Sequence, residues 1–398
     1  MTDIPLKHVA RVNCLSLAQS TDPDYQFLYC DVSSVEHGNL VIPESEIAFA
    51  EAPSRARRVA QGGDVVMSTV RPYLKAVAQV PNGISDLVFS TGFAVLTPRR
   101  NEITSRYLYW TLQIDQFVAE ATRWSNGVSY PAINVDDLMR IKLPLPVREV
   151  QERLATYLDV ETAKIDHLIT KQEELIDLTE SRLKVWREHA FWGSANNDPF
   201  LNPSDGWGVC RNRHIFDHVD GRSETGDEEL LSVSHITGVT PRYMKNVTMF
   251  EAESTVGYKL VAKNELVINT MWAWMGALGV SEYEGIVSPA YDVYRFRDLD
   301  AVNPSFFDCM YRTASYVRLM KANSRGIWES RLRLYPEVFL RLSSLVPQKD
   351  TQDRLVEENR ERTAEAENLI NRCNKAIELL QERRSALITA AVTGQIEV

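Results

Sequence analysis

This 398-residue sequence lacks the short motifs that mark several classes of enzyme. It contains neither the GxxxxGK[ST] loop that cradles phosphates nor the GxGxxG turn that binds dinucleotides. The five cysteines are an odd number without paired spacing, which indicates a reducing cytoplasm rather than a disulfide framework. Five of the seven histidines (His8, His37, His167, His189 and His235) are scattered, so no Ser/His/Asp arrangement can be proposed from them. The sequence therefore predicts a non-catalytic protein.

Long apolar runs are also scarce. The most apolar stretch, residues 266–280, is interrupted by Asn269 and Thr270 and is shorter than the ~20 apolar residues of a membrane span. We predict a buried strand or hairpin there and no membrane attachment. The first residues, MTDIPLKHVARV, lack the apolar segment of a secretory signal, so a cytoplasmic location is expected.

The balance of charge is acidic, with a net charge of −10. A protein that held DNA only by neutralising its phosphates would usually be basic. Any surface for nucleic acid must therefore be local. The hydrophobic content of 44% is enough to build cores, and the length predicts two to four compact pieces.

Two motifs could suggest a metal site or a catalytic site, but a structural role explains each of them better. Cys210, His214 and His218 have a spacing that could suit zinc, but a fourth ligand such as Asp217 or Asp220 would be needed. Local packing explains this trio better, and no metal is predicted.

The segment Asn303-Pro304-Ser305-Phe306 resembles the NPP[YF] box of amino-methyltransferases without its second proline. A helix that begins here, with Ser305 as the N-cap, is the preferred interpretation. A methyltransferase in its own right is correspondingly the weakest functional hypothesis.

The sequence contains an internal duplication, in which one unit occurs twice in tandem. Two stretches of helical periodicity, about 147–192 and 347 to the C-terminus, share one register without insertions. The matching pairs, each 201 residues apart (347 − 146 = 201), are Pro146 and Pro347, Gln151 and Gln352, Ile176 and Ile377, and Gly193 and Gly394.

Both stretches place apolar residues at heptad a and d positions and have charged outer faces. Neither would be stable alone, so we predict that they pack on each other, antiparallel under a pseudo-two-fold axis. At ~1.5 Å per residue, some 40 residues span ~60 Å, which suits a spacer. A coiled-coil dimerisation segment is the alternative. The residues predicted to pack or to meet a partner are Leu154, Leu158, Ile165, Leu168, Leu175, Leu355, Leu369, Leu380 and Leu387.

The rest of the sequence predicts an α/β fold. In the first unit, strands are expected at 27–35, 64–70, 75–80 and 88–96, and a helix at 104–122 capped by Thr104 or Ser105. The second unit repeats this order, with strands at 230–236 and 286–296 and a helix at 305–320. We predict two tandem α/β globular domains separated by the long antiparallel helices, with pseudo-two-fold symmetry. The predicted domains are 1–146 and 201–346, with the proximal helix and a linker at 147–200 and the distal helix at 347–398.

Each unit also has clusters where cationic side chains share a turn with aromatic or amide side chains. Such side chains can hold phosphates and read base edges in the major groove. For any single residue a structural or solvated role is the alternative. The candidates are Arg71, Tyr73, Lys75, Arg123, Asn126, Ser129 and Tyr130 in the first unit, and Trp272, Trp274, Arg325, Trp328 and Arg331 in the second.

Four segments are similar to a known family: LPLPVREVQERLATYLDVETAKIDHLITKQEELI, SPAYDVYRF, GIWESRLRLYPEVF and ERRSALITAAVTGQI. Together with the duplicated layout, they resemble the DNA-specificity subunit of type I restriction–modification systems over nearly the whole chain. The resemblance implies that each globular unit reads one half of a split, asymmetric sequence on double-stranded DNA. It also implies that the helices fix the gap between the halves.

The resemblance further implies partners for this chain. Two methyltransferase subunits would dock on the helices, and restriction subunits would join them. S-adenosylmethionine, ATP and Mg would bind to those partners, which would flip the target adenine and methylate its N6. A scaffold whose coiled coil joins protein partners without reading DNA is the alternative from a different class.

Overall fold

The computed structural model describes residues 2–36, 38–84, 87–192, 199–245, 254–327 and 332–398. Part of the predicted linker (193–198) and the candidates Trp328 and Arg331 lie outside these ranges. The described helices are α1 (Leu6–Val9), α2 (Ser105–Thr111), α3 (Asp115–Arg123), α4 (Val135–Leu138), α5 (Arg148–Trp192), α6 (Asn212–Ile215), α7 (Pro304–Tyr311), α8 (Ala314–Asn323), α9 (Pro336–Phe339) and α10 (Lys349–Val392).

The described strands of the first half are β1 (Thr2–Pro5), β2 (Ala10–Val12), β3 (Leu15–Ser16), β4 (Gln26–Cys30), β5 (Val35–Glu36), β6 (Asn39–Leu40), β7 (Ile47–Ala48), β8 (Ala56–Ala60), β9 (Val65–Ser68), β10 (Val77–Gln79), β11 (Leu87–Ser90), β12 (Phe93–Pro98) and β13 (Lys142–Leu145). Those of the second half are β14 (Trp207–Arg211), β15 (Phe216–Val219), β16 (Leu231–Ser234), β17 (Gly238–Pro241), β18 (Lys259–Val261), β19 (Leu266–Asn269), β20 (Leu278–Val280), β21 (Gly285–Val287), β22 (Tyr291–Phe296) and β23 (Ser343–Pro347).

Packing groups the chain into two compact units. Unit 1 consists of Met1–Glu173 with Asn374–Val398, and unit 2 consists of Glu174–Cys373. Each unit therefore contains a globular part and one segment of each long helix. The predicted division into four consecutive domains follows chain order and stays a prediction.

The two units repeat one central sheet. Its order is β10-β9-β12-β2 in unit 1 and β20-β19-β22-β15 in unit 2, with antiparallel neighbours throughout. All four residues of β9 and all four of β19 are buried, which explains the apolar runs VVM and LVI with which these strands begin. The hairpin predicted within 266–280 is confirmed, because β19 pairs antiparallel with β20. The mixed α/β class is confirmed as well.

The predictions of one strand at 88–96 and one at 286–296 were wrong. Each region forms two strands, β11 with β12 and β21 with β22. β11 lies beside β4 and β8, whereas β12 lies between β9 and β2 in another sheet. The breaks fall at Thr91-Gly92 and at Ser288-Pro289-Ala290, which are exposed or half-buried turn-forming residues that the prediction of single strands did not take into account.

The single helices predicted at 104–122 and 305–320 are likewise broken, into α2 and α3 and into α7 and α8. Thr104 caps α2 as predicted, since its hydroxyl accepts the Tyr107 N–H at 3.2 Å. The cap of α7 is Asn303 rather than Ser305, because the Asn303 side chain accepts the Ser305 N–H at 2.9 Å. Pro304 then occupies the first helical position, where its missing N–H costs nothing.

The long helices pack antiparallel within each unit, which confirms that prediction. In unit 1, Leu154 and Leu158 of α5 share a core with Ile388 and Val392 of α10. The Asp166 carboxylate, further along α5, accepts from Arg384, further back along α10, at 2.8 Å.

In unit 2, Arg187 of α5 donates to Asn359 and Thr363 of α10, each at 2.8 Å.

The residues predicted to pack on the helices differ in burial. Leu168 (48% exposed) and Leu175 (37%) are open to solvent, so their predicted partner role stays a prediction. Leu154, Leu158, Ile165 and Leu355 are buried, and Leu369, Leu380 and Leu387 are half-buried. No helix among the described residues is both long and apolar enough to span a membrane.

A buried glutamine anchors the start of each long helix. The Gln151 carbonyl accepts the Thr104 N–H at 2.9 Å, and its amide donates to the carbonyls of Glu102 and Pro146. Gln352 repeats the arrangement. Its side-chain carbonyl accepts the Asn303 N–H at 2.7 Å, and its amide donates to the carbonyls of Ala301 and Pro347. Both glutamines are 0–1% exposed, so each satisfies three main-chain groups away from water.

Replacing Gln352 by leucine is expected to lower the free energy of unfolding by about 2–4 kcal/mol. The change removes three hydrogen bonds and leaves main-chain groups without partners. Denaturant unfolding of the full chain measures the effect. The matched control is Gln381→Leu on the exposed face of α10, expected to change stability by less than about 0.5 kcal/mol. Equal effects of the two substitutions would contradict the anchoring role.

Candidate nucleic-acid interface

In unit 1 the predicted side chains lie on two neighbouring loops, 69–76 and 123–133, which we name loop pair 1. The Ile133 N–H donates to the Thr69 carbonyl at 2.9 Å, and the Arg71 N–H donates to Pro131 at 2.7 Å. Asn126 and Ala132 exchange two hydrogen bonds of 2.9 Å, which close the second loop on itself. The structure therefore brings together residues that the sequence places about 55 positions apart.

Unit 2 has the same arrangement of main-chain hydrogen bonds, which we call the loop frame. It lies in loop pair 2, which is formed by the described parts of 270–277 and 324–334. The Leu334 N–H donates to the Thr270 carbonyl at 3.0 Å, and Arg325 and Arg333 exchange two hydrogen bonds of 2.9 Å. Thr270 and Leu334 stand 201 positions after Thr69 and Ile133 (270 − 69 = 201). The duplication thus extends to the loops that carry the candidate side chains.

Arg71 is the most constrained candidate. Its φ of 52° lies in the left-handed region, which a residue with a Cβ adopts at an energetic cost. Its guanidinium lies 4.4 Å from the centre of the Tyr130 ring, and Nη2 donates to the Ser129 carbonyl at 3.1 Å. A stacked and bonded guanidinium is fixed in one orientation.

Lys75 has a different role from the other cations. Its Nζ donates to the Asp115 carboxylate at 2.7 Å and to the Ser385 hydroxyl of α10 at 2.7 Å. Partial burial acts to raise the pKa of Asp115, but Lys75 and the hydroxyls of Ser385 and Thr389 outweigh it and lower that pKa. Lys75 therefore joins loop pair 1 to α3 and α10.

The outer face of loop pair 1 is aromatic and polar. Tyr73 (48%) and Tyr130 (69%) are exposed, and so are Arg123, Asn126 and Ser129. The sequence analysis missed Trp124, which is 39% exposed on the same loop. Its place next to Arg123 in RWSNGVSY was the available signal.

In unit 2 the two predicted tryptophans differ. Trp272 is 50% exposed, whereas Trp274 is half-buried, donates its indole N–H to the Met271 carbonyl at 3.0 Å and lies beneath Lys321. Ala273, between the two tryptophans, is fully buried, so one face of this segment belongs to the core. Trp272 is the one of the pair that can contact a ligand.

A cleft of about 840 Å³ opens beside Trp272. Tyr335, 41% exposed, lies on this cleft and was not among the predicted residues. Its own segment, RLYPEVF, gave no sign that it would face Trp272, which is distant in sequence. The described residues that line the cleft are Met271, Trp272, Arg325, Gly326, Leu332, Arg333, Tyr335 and Glu337.

The trio Cys210, His214 and His218 does not converge. The Cys210 thiol contacts the Arg211 carbonyl, His214 contacts Arg213, and His218 contacts Asp292 at 3.1 Å. In the part of the chain that the structure describes, no three His, Cys, Asp or Glu side chains are placed to hold a metal ion.

Comparison with known proteins places loop pair 1 within a family domain. Residues 55–177, which include loop pair 1, match the type I restriction modification DNA specificity domain. A curated relative, the HindI specificity subunit of a type I restriction enzyme from Haemophilus influenzae, is 23% identical over 167 residues. That alignment covers 40% of this chain and 32% of the relative, so the match spans about a third of the relative's length.

Two solved structures match over nearly the whole chain. One comes from work on complex assembly and conformational transition of a type I R-M system, with a TM-score of 0.76, 20% identity, and coverage of 99% of this chain and 98% of the other. The second is the HsdS subunit from Thermoanaerobacter tengcongensis, with a TM-score of 0.54, 20% identity, and coverage of 99% and 97%.

These comparisons confirm the resemblance seen in the sequence, and the family they identify is defined by DNA specificity rather than by catalysis. Residues 55–177 form a type I restriction modification DNA specificity domain, and the chain as a whole has the fold of the type I specificity subunits.

Proposed function

We propose that this chain is the non-catalytic DNA-specificity subunit of a type I restriction–modification complex. Each unit reads one half of a bipartite, asymmetric target on double-stranded DNA, using loop pair 1 or loop pair 2. The observation that carries the proposal is the repetition of one loop frame in both units, next to a family domain for DNA specificity. A protein scaffold would not need two copies of such a frame.

The long helices are proposed to set the gap between the half-sites and to dock two methyltransferase subunits. A helix of 45 residues is about 68 Å long, or about two turns of duplex DNA. Leu168 and Leu175, exposed on α5, are available for such partners. Restriction subunits would complete the assembly. S-adenosylmethionine, ATP and Mg would belong to these partners, since the chain carries none of the phosphate or dinucleotide loops sought in its sequence.

Methylome sequencing of host cells with and without this gene tests the proposal. Deletion is expected to abolish adenine methylation at one bipartite motif and to leave other motifs unchanged. Restoring the gene on a plasmid should restore that motif, which controls for secondary mutations. A methylome that is unchanged by deletion would favour the alternative, a scaffold that does not read DNA.

A further inference from the structure

We propose that Arg71 reads a guanine in the half-site recognised by unit 1, and that no equivalent reader exists at the matching position of unit 2. This inference rests on the proposed function and specifies its chemistry. It assigns one base class to one residue, which the family match does not do.

The fixed orientation of the side chain suits a bidentate contact. A planar guanidinium can make such a contact to the edge of a guanine or to a phosphate, whereas a lysine holds a phosphate only as a point charge. Arg71 instead is stacked at 4.4 Å on Tyr130 and bonded at 3.1 Å to the Ser129 carbonyl. Such preorganisation is useful where two parallel hydrogen bonds must meet the O6 and N7 atoms of guanine.

The free donors of Arg71 lie at the end of its guanidinium. Nε is shielded from solvent and has no hydrogen-bond partner among the described residues. Nη2 uses one of its two N–H groups on Ser129, and the structure records no other side-chain hydrogen bond for Arg71 in the described chain. An N–H from each of Nη1 and Nη2 is therefore available for a bidentate contact.

The surroundings of Arg71 suit a partner with flat faces. Tyr73 and Tyr130, 48% and 69% exposed, stand on the two loops of loop pair 1. Lys75, the cation at the other end of the same short turn, is engaged by Asp115 and Ser385 and so does not compete for the same acceptors.

The backbone gives a second, independent observation. Within the described residues φ is positive at only four non-glycine positions, and Arg71 and Lys75 are two of them, on either side of one short turn. Glycine would adopt these angles without strain. The strained backbone at Arg71 therefore indicates that this side chain is needed where it stands.

The matching residue in unit 2 is Trp272 (71 + 201 = 272), on the same loop frame. An indole has one donor and cannot make the paired contact to guanine. Trp272 can instead contact apolar base edges or stack, so the two half-sites should differ at this position.

The test compares methylomes of cells that carry the wild-type gene, Arg71→Lys or Arg71→Gly, in the complete complex. Arg71→Lys keeps the charge but loses the planar fork. Discrimination for one guanine in the half-site of unit 1 is expected to fall roughly 5- to 150-fold, and preference at every other position should be unchanged. Arg71→Gly should lose the same guanine while thermal unfolding occurs at the same or a higher temperature.

Asn264→Gly, which relieves a φ of 69° in a turn of unit 2, is the matched control and should leave the motif unchanged. Retention of every base preference in both Arg71 variants would overturn the inference while leaving the proposed function intact, as would an affected base other than guanine. A wild-type gene that confers no bipartite motif would overturn the proposed function and the inference with it.

Discussion

Replacing residues 201–346 with the corresponding segment of a related specificity chain is expected to change one half of the methylated sequence completely. The other half and the gap should stay the same. The physical reason is that the helices hold the globular part of unit 2 through hydrogen bonds to its main chain as well as through an apolar core that includes Phe191, Leu355 and Val356. The Glu188 carboxylate of α5 accepts the N–H groups of Ala314 and Ser315, each at 2.9 Å, and Gln352 of α10 accepts the N–H of Asn303.

Main-chain contacts of this kind tolerate new side chains, so a foreign segment can dock on the host helices. The buried Phe191 of α5 requires an apolar pocket in the donor segment, which guides its choice. Methylome sequencing reads the outcome. The reciprocal replacement of 1–146 is the control and should change the opposite half. If either exchange altered both halves, or altered the gap, the assignment of one half-site to each unit would be wrong.

A paired insertion of seven residues in both long helices is expected to lengthen the gap by up to about three base pairs, with the half-site bases unchanged. Seven helical residues add about 10.5 Å, and base pairs are stacked about 3.4 Å apart. The insertions belong after Glu173 in α5 and after Cys373 in α10. These points lie between the Asp166–Arg384 contact of unit 1 and the Arg187–Asn359 contact of unit 2.

Insertion into α5 alone, between Ala163 and Leu183, is the informative control. It puts the two helices out of register at one of these contacts by about 10 Å, so lost stability and no methylated motif are expected. Circular dichroism and thermal unfolding separate this loss of stability from a change of gap. A paired insertion that changed half-site bases and kept the gap would contradict the spacer role.

The duplication and the long helices followed from residue spacing alone. A register kept constant from Pro146 and Pro347 to Gly193 and Gly394 requires no knowledge of contacts. Apolar periodicity persists through a long helix, so α5 began and ended within a residue or two of its predicted limits. The loop segments with mixed cationic and aromatic side chains could also be read from the sequence, because turn residues mark them.

Single residues were harder to assign, because their surroundings come from distant segments. Lys75 was a candidate for contacting DNA, yet it bonds to Ser385, 310 positions later. Tyr335 was not among the predicted residues, yet it lines the same cleft as Trp272. The orientation of Arg71 depends on Tyr130, which reaches it because Ile133 bonds to Thr69 and Arg71 bonds to Pro131.

The sequence by itself determined the twofold repeat, the two long helices, the α/β class and the family resemblance, because each depends on local spacing and composition. Tertiary structure alone decided which strands pair within each sheet, which cations are already paired, and which side chains meet across the two loop pairs. Those outcomes depend on long-range hydrogen bonds and burial, and no local pattern in a single sequence encodes them.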